Sequence, residues 1–367
     1  MVIKHLYVHL PFCRIRCDYC DFFSLAGRME LAPAYVDAVL AEAAAYGTDL
    51  DGLETIYLGG GTPTMLDNAL LEKMLRRLVE RASAGAEITV EANPVTIDTA
   101  KAQTLSAVGV SRVSLGVQSF EGRLRKNLGR SGGSGAVGTA VANLRQAGMD
   151  NIGLDLIFGI PGQSAQDLQR DLERALALEP EHISYYELTV KEGSPYQRRW
   201  RKELEETCDM GALFYEQVVD FLEREGFCWY ETSNFARQGR ECRHNIAYWE
   251  GQDFIGLGAG AWSTIGCLRW RNREDVLLYM DNNAALERKR EEEVLSAGQK
   301  ALELLMLGMR TDVGVSLAGM ENYLNMYMLD KLSDNGFLSS TGERVVFTRK
   351  GRFMANEICV RLFNPEE

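Results

Sequence analysis

Down the first half of the chain, short apolar and β-branched runs alternate with longer segments whose apolar positions recur near i, i+3, i+4 and i+7. The six runs are KHLYVHL (4–10), ETIYLGG (54–60), EITVEAN (87–93), RVSLGVQS (112–119), NIGLDLIFGI (151–160) and HISYYELTV (182–190), each predicting a strand. The segments between them predict helices over 32–47, 67–82, 98–109, 134–148 and 164–180. Several open on Asp or Ser and close on Gly or Pro, as capped helices do. Strict strand–helix alternation implies parallel strands joined by helical crossovers. The expected fold is α/β, a partial (β/α)6 barrel.

After about residue 190 the rhythm breaks. KEGSPYQRRWRKELEE predicts a loop and a polar helix, and a longer helix runs to Glu225. GFCWYETSNFA predicts one strand, and AALERKREEEVLSAGQKALELLMLGM (284–309) a charged helix. Short helices and a hairpin about Thr341-Gly342 give the last sixty or so residues the outline of a smaller α+β winged-helix-like domain.

Length and composition change this picture little: 367 residues, 46% hydrophobic and 25% charged, suffice for a full core without extended disorder. No apolar run reaches the length of a membrane span, and the dozen residues before the first motif leave no room for a signal peptide. A cytoplasmic location is expected. A net charge of -12 disfavours nucleic acid as a partner. Eight cysteines are too sparse for a disulfide scaffold, so a cluster of them points to metal or redox chemistry.

In a parallel barrel, ligands meet the loops at the C-terminal strand ends. Here those ends are polar: the cysteine loop, then Gly59-Gly60-Gly61-Thr62-Pro63, Glu91, Gln118, Asp155, and Glu187 with Thr189. Cys13, Cys17 and Cys20 form C-x3-C-x2-C, short enough to turn three thiolates onto one inorganic centre. Three such ligands hold three irons of a [4Fe-4S] cube and leave the fourth open to a small molecule. The alternative is zinc, with His9 as fourth ligand. Three glycines at 59–61 let backbone groups approach a ligand closely.

The thiol motif with Tyr19 inside it, followed in order by GGGTP, VEANP, GVQSF, LGR and DLIFGIPGQ, resembles the radical S-adenosylmethionine (SAM) superfamily. More narrowly the chain is similar to the oxygen-independent coproporphyrinogen III oxidase family, over nearly its whole length. That resemblance implies a radical SAM barrel with domains at 1–235 (core), 236–290 (aromatic, Gly-rich connection) and 291–367 (winged-helix-like). It implies cluster ligation by Cys13, Cys17 and Cys20, and SAM binding by Gly60, Gly61, Thr62, Arg130, Glu91, Gln118 and Asp155. Tyr7 and Tyr19 would pack beside cluster and cofactor, and Thr189 and Trp262 would close the adenine end.

Two branches of that family differ. The oxidases, which decarboxylate a porphyrinogen, continue the loop as C-x2-C-x-C and carry an N-terminal extension; here Phe22 takes the place of the last cysteine. The HemW-like haem-chaperone branch carries an HNxxYW signature, matched by HNIAYW with His244, Asn245, Tyr248 and Trp249. The resemblance to that branch implies haem as cargo, haem-accepting and especially respiratory proteins as recipients, an electron donor for the cluster, and a homodimer as an assembly left open. An imidazole is a competent haem ligand and an aromatic pair can stack on a porphyrin, although a core histidine with packing aromatics accounts for the same residues. After Arg130 the family has a histidine within a residue or two, where this chain has SGGSG. A third expectation, zinc on the thiols with a DNA-contacting tail, conflicts with the net acidity.

Overall fold

The computed structural model describes residues 3–130, 133–208, 210–281, 290–341 and 343–363. The six predicted runs form parallel strands β1 (His5–Leu10), β2 (Leu53–Gly60), β3 (Ala82–Ala92), β4 (Arg112–Gln118), β5 (Ile152–Phe158) and β6 (His182–Glu187), paired in that order. The crossovers are α1 (Ala32–Ala45), α2 (Asn68–Val79), α3 (Thr99–Ala107), α4 (Gly135–Gln146) and α5 (Ala165–Leu176). Their starts follow the capping chemistry: Asp67 and Asp98 accept from the Leu70 and Lys101 amides, and Ser164 with Asp167 forms a reciprocal capping box.

The sheet continues past the barrel in both directions. β7 (Cys228–Glu231) and β8 (Asn234–Ala236) form an antiparallel pair that joins β6 through β8. β9 (Phe254–Leu257) adds a seventh parallel strand on the free side of β1, and β10 (Trp262–Ile265), β11 (Leu268–Asn272) and β12 (Arg290–Val294) extend it antiparallel. The result is one twelve-stranded sheet in the order β12-β11-β10-β9-β1-β2-β3-β4-β5-β6-β8-β7. It does not close on itself, so the barrel is partial.

Two local expectations change. GFCWYETSNFA is a two-strand turn rather than one strand, because the chain reverses at Thr232-Ser233 between β7 and β8. The expected helix over 284–309 begins only at Ala297, where Ser296 caps it; 290–294 pairs with β11 as a strand. Residues 284–289 lie outside the described residues. HNIAYW lies on a short helix, Arg243–Trp249.

The C-terminal part has its own core, built on Leu305, Met309, Leu329, Leu332, Phe347 and Ile358. A three-stranded sheet of Val315–Ser316, Leu338–Thr341 and Arg344–Phe347 packs with helices Ala297–Gly308, Met326–Asp334 and Ala355–Leu362, a winged-helix-like outline. Gly342, half of the expected hairpin turn, lies outside the described residues. This unit covers the β7 edge of the large sheet: Thr311 bridges Glu231, the Asp312 amide donates to Tyr230 O at 3.0 Å, and Arg352 donates to Trp229 O at 2.6 Å. Covering an edge prevents it from pairing with another chain. The opposite edge, β12, reads Arg-Glu-Glu-Glu-Val, charged enough to discourage pairing. Among the described residues no helix is long and apolar enough to cross a membrane.

Candidate functional site

The parallel strands end around a cavity of about 480 Å3, within the size range of small-molecule sites. The loop after β1 forms its mouth and presents Cys13, Cys17 and Cys20, all free and half-buried. The loop is held from behind: the Asp18 amide donates to Leu128 O at 3.3 Å, and Tyr19 packs on an apolar cluster of Leu124, Leu128, Ile157 and Ile160. Burial raises the Cys13 and Cys20 thiols above their usual range, so a bound metal would have to displace their protons. Phe22 hangs at the same mouth, 68% exposed.

His9 is not free to join the thiols. Its Nε2–H donates to Phe23 O at 2.9 Å and its Nδ1 accepts from Tyr7 Oη at 3.0 Å. Among the described residues no three candidate ligands already stand at single-ion distance.

The wall after β2 is glycine by necessity. Gly60 has φ +102°, and a Cβ on it would lie 2.5 Å from the His9 ring; one on Gly61 would lie 2.7 Å from Phe12 O. Thr62 reaches within 3.8 Å of the Cys13 sulfur. Glu91, from β3, accepts from Tyr57 Oη at 2.8 Å and the Gly60 amide at 3.2 Å. Burial pushes its carboxyl up to about 7, although those hydrogen bonds pull the other way. Gln118 stands at the end of β4 with φ +68°, strain of the kind found at ligand sites. Arg130 donates to Gly116 O, while its Nε is buried without a partner. Asp155 accepts from Ser114 Oγ at 2.9 Å, and burial raises its carboxyl. Thr189 lines the far side.

The structure thus gathers Cys13, Cys17, Cys20, Tyr19, Gly60, Gly61, Thr62, Glu91, Gln118, Arg130, Asp155, Thr189 and Asn245 around one cavity. Tyr7 sits behind the wall, stacked on Tyr57 at 6.1 Å. Trp262 lies elsewhere, 45% exposed, with Tyr248 in a separate pocket of about 310 Å3. Trp249 faces Arg310, whose guanidinium lies 5.7 Å from its ring centroid. His244 is 1% exposed, shares a 2.7 Å hydrogen bond with Thr55 Oγ1 and stacks on Tyr57 at 5.1 Å. Burial drives its pKa down to about 3, so it is neutral. Helix Arg243–Trp249 therefore turns Asn245 to the cavity and His244 into the core.

Among the cavity residues that escaped the sequence reading are Tyr57, Arg112, Ser114, Ser184 and Tyr186. The signal for them was period two. Arg112, Ser114, Gly116 and Gln118 alternate along one face of β4, as Ser184 and Tyr186 do along β6.

A family model described as the radical SAM superfamily matches residues 7–175. Proteins named heme chaperone HemW are 33% identical (Lactococcus lactis, 96% of this chain and 95% of that protein), 34% identical (Bacillus subtilis, 97% and 98%) and 35% identical (Mycobacterium tuberculosis, 96% and 93%). The solved structure of coproporphyrinogen III oxidase (HemN) from Escherichia coli superposes with a TM-score of 0.78 at 22% identity, over 98% of this chain and 90% of that one, and so shares the fold. With relatives that match almost end to end and a radical SAM superfamily match over residues 7–175, the chain belongs to the radical SAM family of the heme chaperone HemW.

Proposed function

We propose that the chain is a radical-SAM-type haem chaperone that binds a [4Fe-4S] cluster, SAM and haem, and hands haem to haem proteins, respiratory ones among them. The observation that carries this reading is the cavity mouth, where three free thiols share a rim with Phe22 instead of a further thiol. Cys13, Cys17 and Cys20 would hold the cluster. A cluster held there would supply one-electron reduction of SAM.

The chain's own groups suit the cofactor. Gly60 and Gly61 clear the backbone for a close approach, and Arg130 offers a guanidinium for a carboxylate. Glu91, Gln118 and Asp155 offer acceptors for an amine and ribose hydroxyls. Haem iron reaches His244 only if helix Arg243–Trp249 lifts from the sheet; Asn245 needs no such movement. The setting we propose is cytoplasmic, with an electron donor for the cluster and a homodimer as the assembly to look for.

Anaerobic reconstitution followed by iron, SAM-cleavage and haem-binding assays tests the reading. About four irons per chain and a haem-dependent Soret change are expected, with iron lost in Cys17→Ala. A fully reconstituted protein with no spectral response to haem removes the chaperone function. Decarboxylated product from coproporphyrinogen III turns the assignment toward the oxidase reaction.

A further inference from the structure

The deep end of the cavity is formed by a residue that the cofactor roles above leave unused. Arg112 points inward from β4, is 2% exposed and lines the cavity below Ser114. Its Nε has no hydrogen-bond partner. Among the described residues its one hydrogen bond runs from Nη1 to Arg240 O at a long 3.3 Å, and no carboxylate lies within ion-pair distance. A guanidinium keeps its charge in a protein, so burial cannot neutralise it. A desolvated guanidinium short of acceptors is costly, which folded proteins offset with an anion or a full set of acceptors.

The surroundings make room for the guanidinium without pairing it. Gly153 on β5 lies across from it, and a Cβ there would fall 3.3 Å from Arg112 Nη2, 3.3 Å from Ser114 Oγ and 3.5 Å from His182 Nδ1. His182 Nδ1 is also buried without a partner, because the hydrogen bond of that ring, at 2.8 Å to Tyr230 Oη, uses Nε2. Glu87 accepts from the Arg243 and His244 amides at 3.0 and 3.1 Å, and it and Asp155 attract the guanidinium at longer range without hydrogen-bonding it. The strand layer thus ends in a guanidinium whose Nε lacks a hydrogen-bond partner, open to the cavity above.

We propose that Arg112 forms the floor of a second subsite in the barrel, which takes the carboxylate of a ligand other than SAM. A free small carboxylic acid and a propionate arm of the haem cargo share that chemistry. The subsite is defined by the barrel interior, so it holds or falls independently of the haem-chaperone reading.

The test uses anaerobically reconstituted wild-type protein, Arg112→Met and Arg112→Lys, with sodium propionate as probe and sodium chloride at equal ionic strength as reference. Propionate should raise the wild-type melting temperature, and its affinity should fall about 10- to 100-fold in Arg112→Met, the size of a charge-assisted hydrogen-bond pair. Arg112→Lys keeps the charge but not the fork and should fall between them; it carries the comparison if the methionine variant does not fold. Titration with haem and with haem dimethyl ester separates the two sources. If the cargo arm is the occupant, Arg112→Lys weakens haem but not the ester; if a free acid is the occupant, both titrations match wild type. An equal propionate response in all three proteins, or none in wild type, overturns the proposal.

Discussion

A methyl group at residue 60 has no space: φ is +102° and the His9 ring would lie 2.5 Å away. Gly60→Ala is therefore expected to cost about 1–3 kcal/mol in urea denaturation and to lower iron retention, since His9 is packed against the cysteine loop through Phe23. The buried carboxyls set a pH dependence. Burial raises both Glu91 and Glu231 from 4.5 to about 7 in the folded protein. The folded state then holds protons that the unfolded state has released, so their contribution is full below pH 4.5 and is lost as pH rises through 7. Relative to wild type, Glu91→Gln should therefore gain stability as pH rises from 5 to 8, by about 1–3 kcal/mol at the alkaline end in denaturation.

The helices were legible because their chemistry is local. Ser164 and Asp167 satisfy each other's amides at the start of α5, and Ser164→Ala should cost about 1 kcal/mol by thermal or chemical denaturation. The same reading finds the Asp67 and Asp98 caps without any tertiary information. It fails where partners are distant. Arg290–Val294 has the composition of a polar helix and becomes a strand because β11 offers its edge. His244 illustrates the same limit at the site: its motif is visible in sequence, but which side of a seven-residue helix faces the cavity is decided by packing on Tyr57 and Thr55. Arg112 was readable in principle from the alternation along β4; the reading stopped at the strand ends, where ligands were expected.

At the scale of the molecule, the C-terminal unit serves as a cover for the β7 edge. Arg352 is one tie, donating to Trp229 O at 2.6 Å with its guanidinium 4.5 Å from the Trp229 ring centroid. Arg352→Ala should loosen that unit by about 1–3 kcal/mol. Hydrogen exchange should then quicken over residues 297–362 and stay unchanged in the strands of 5–187. The position of β1 has a further result in time. β1 is a central strand, and its second neighbour, β9, which pairs His5 with Phe254, follows it by more than 240 residues. On a ribosome adding about 5–20 residues per second, that flank stays open for roughly 10–50 s while the rest of the barrel is made. Until β9 is made, β1 presents an unpaired parallel edge on that side, the kind of edge that invites pairing with another chain.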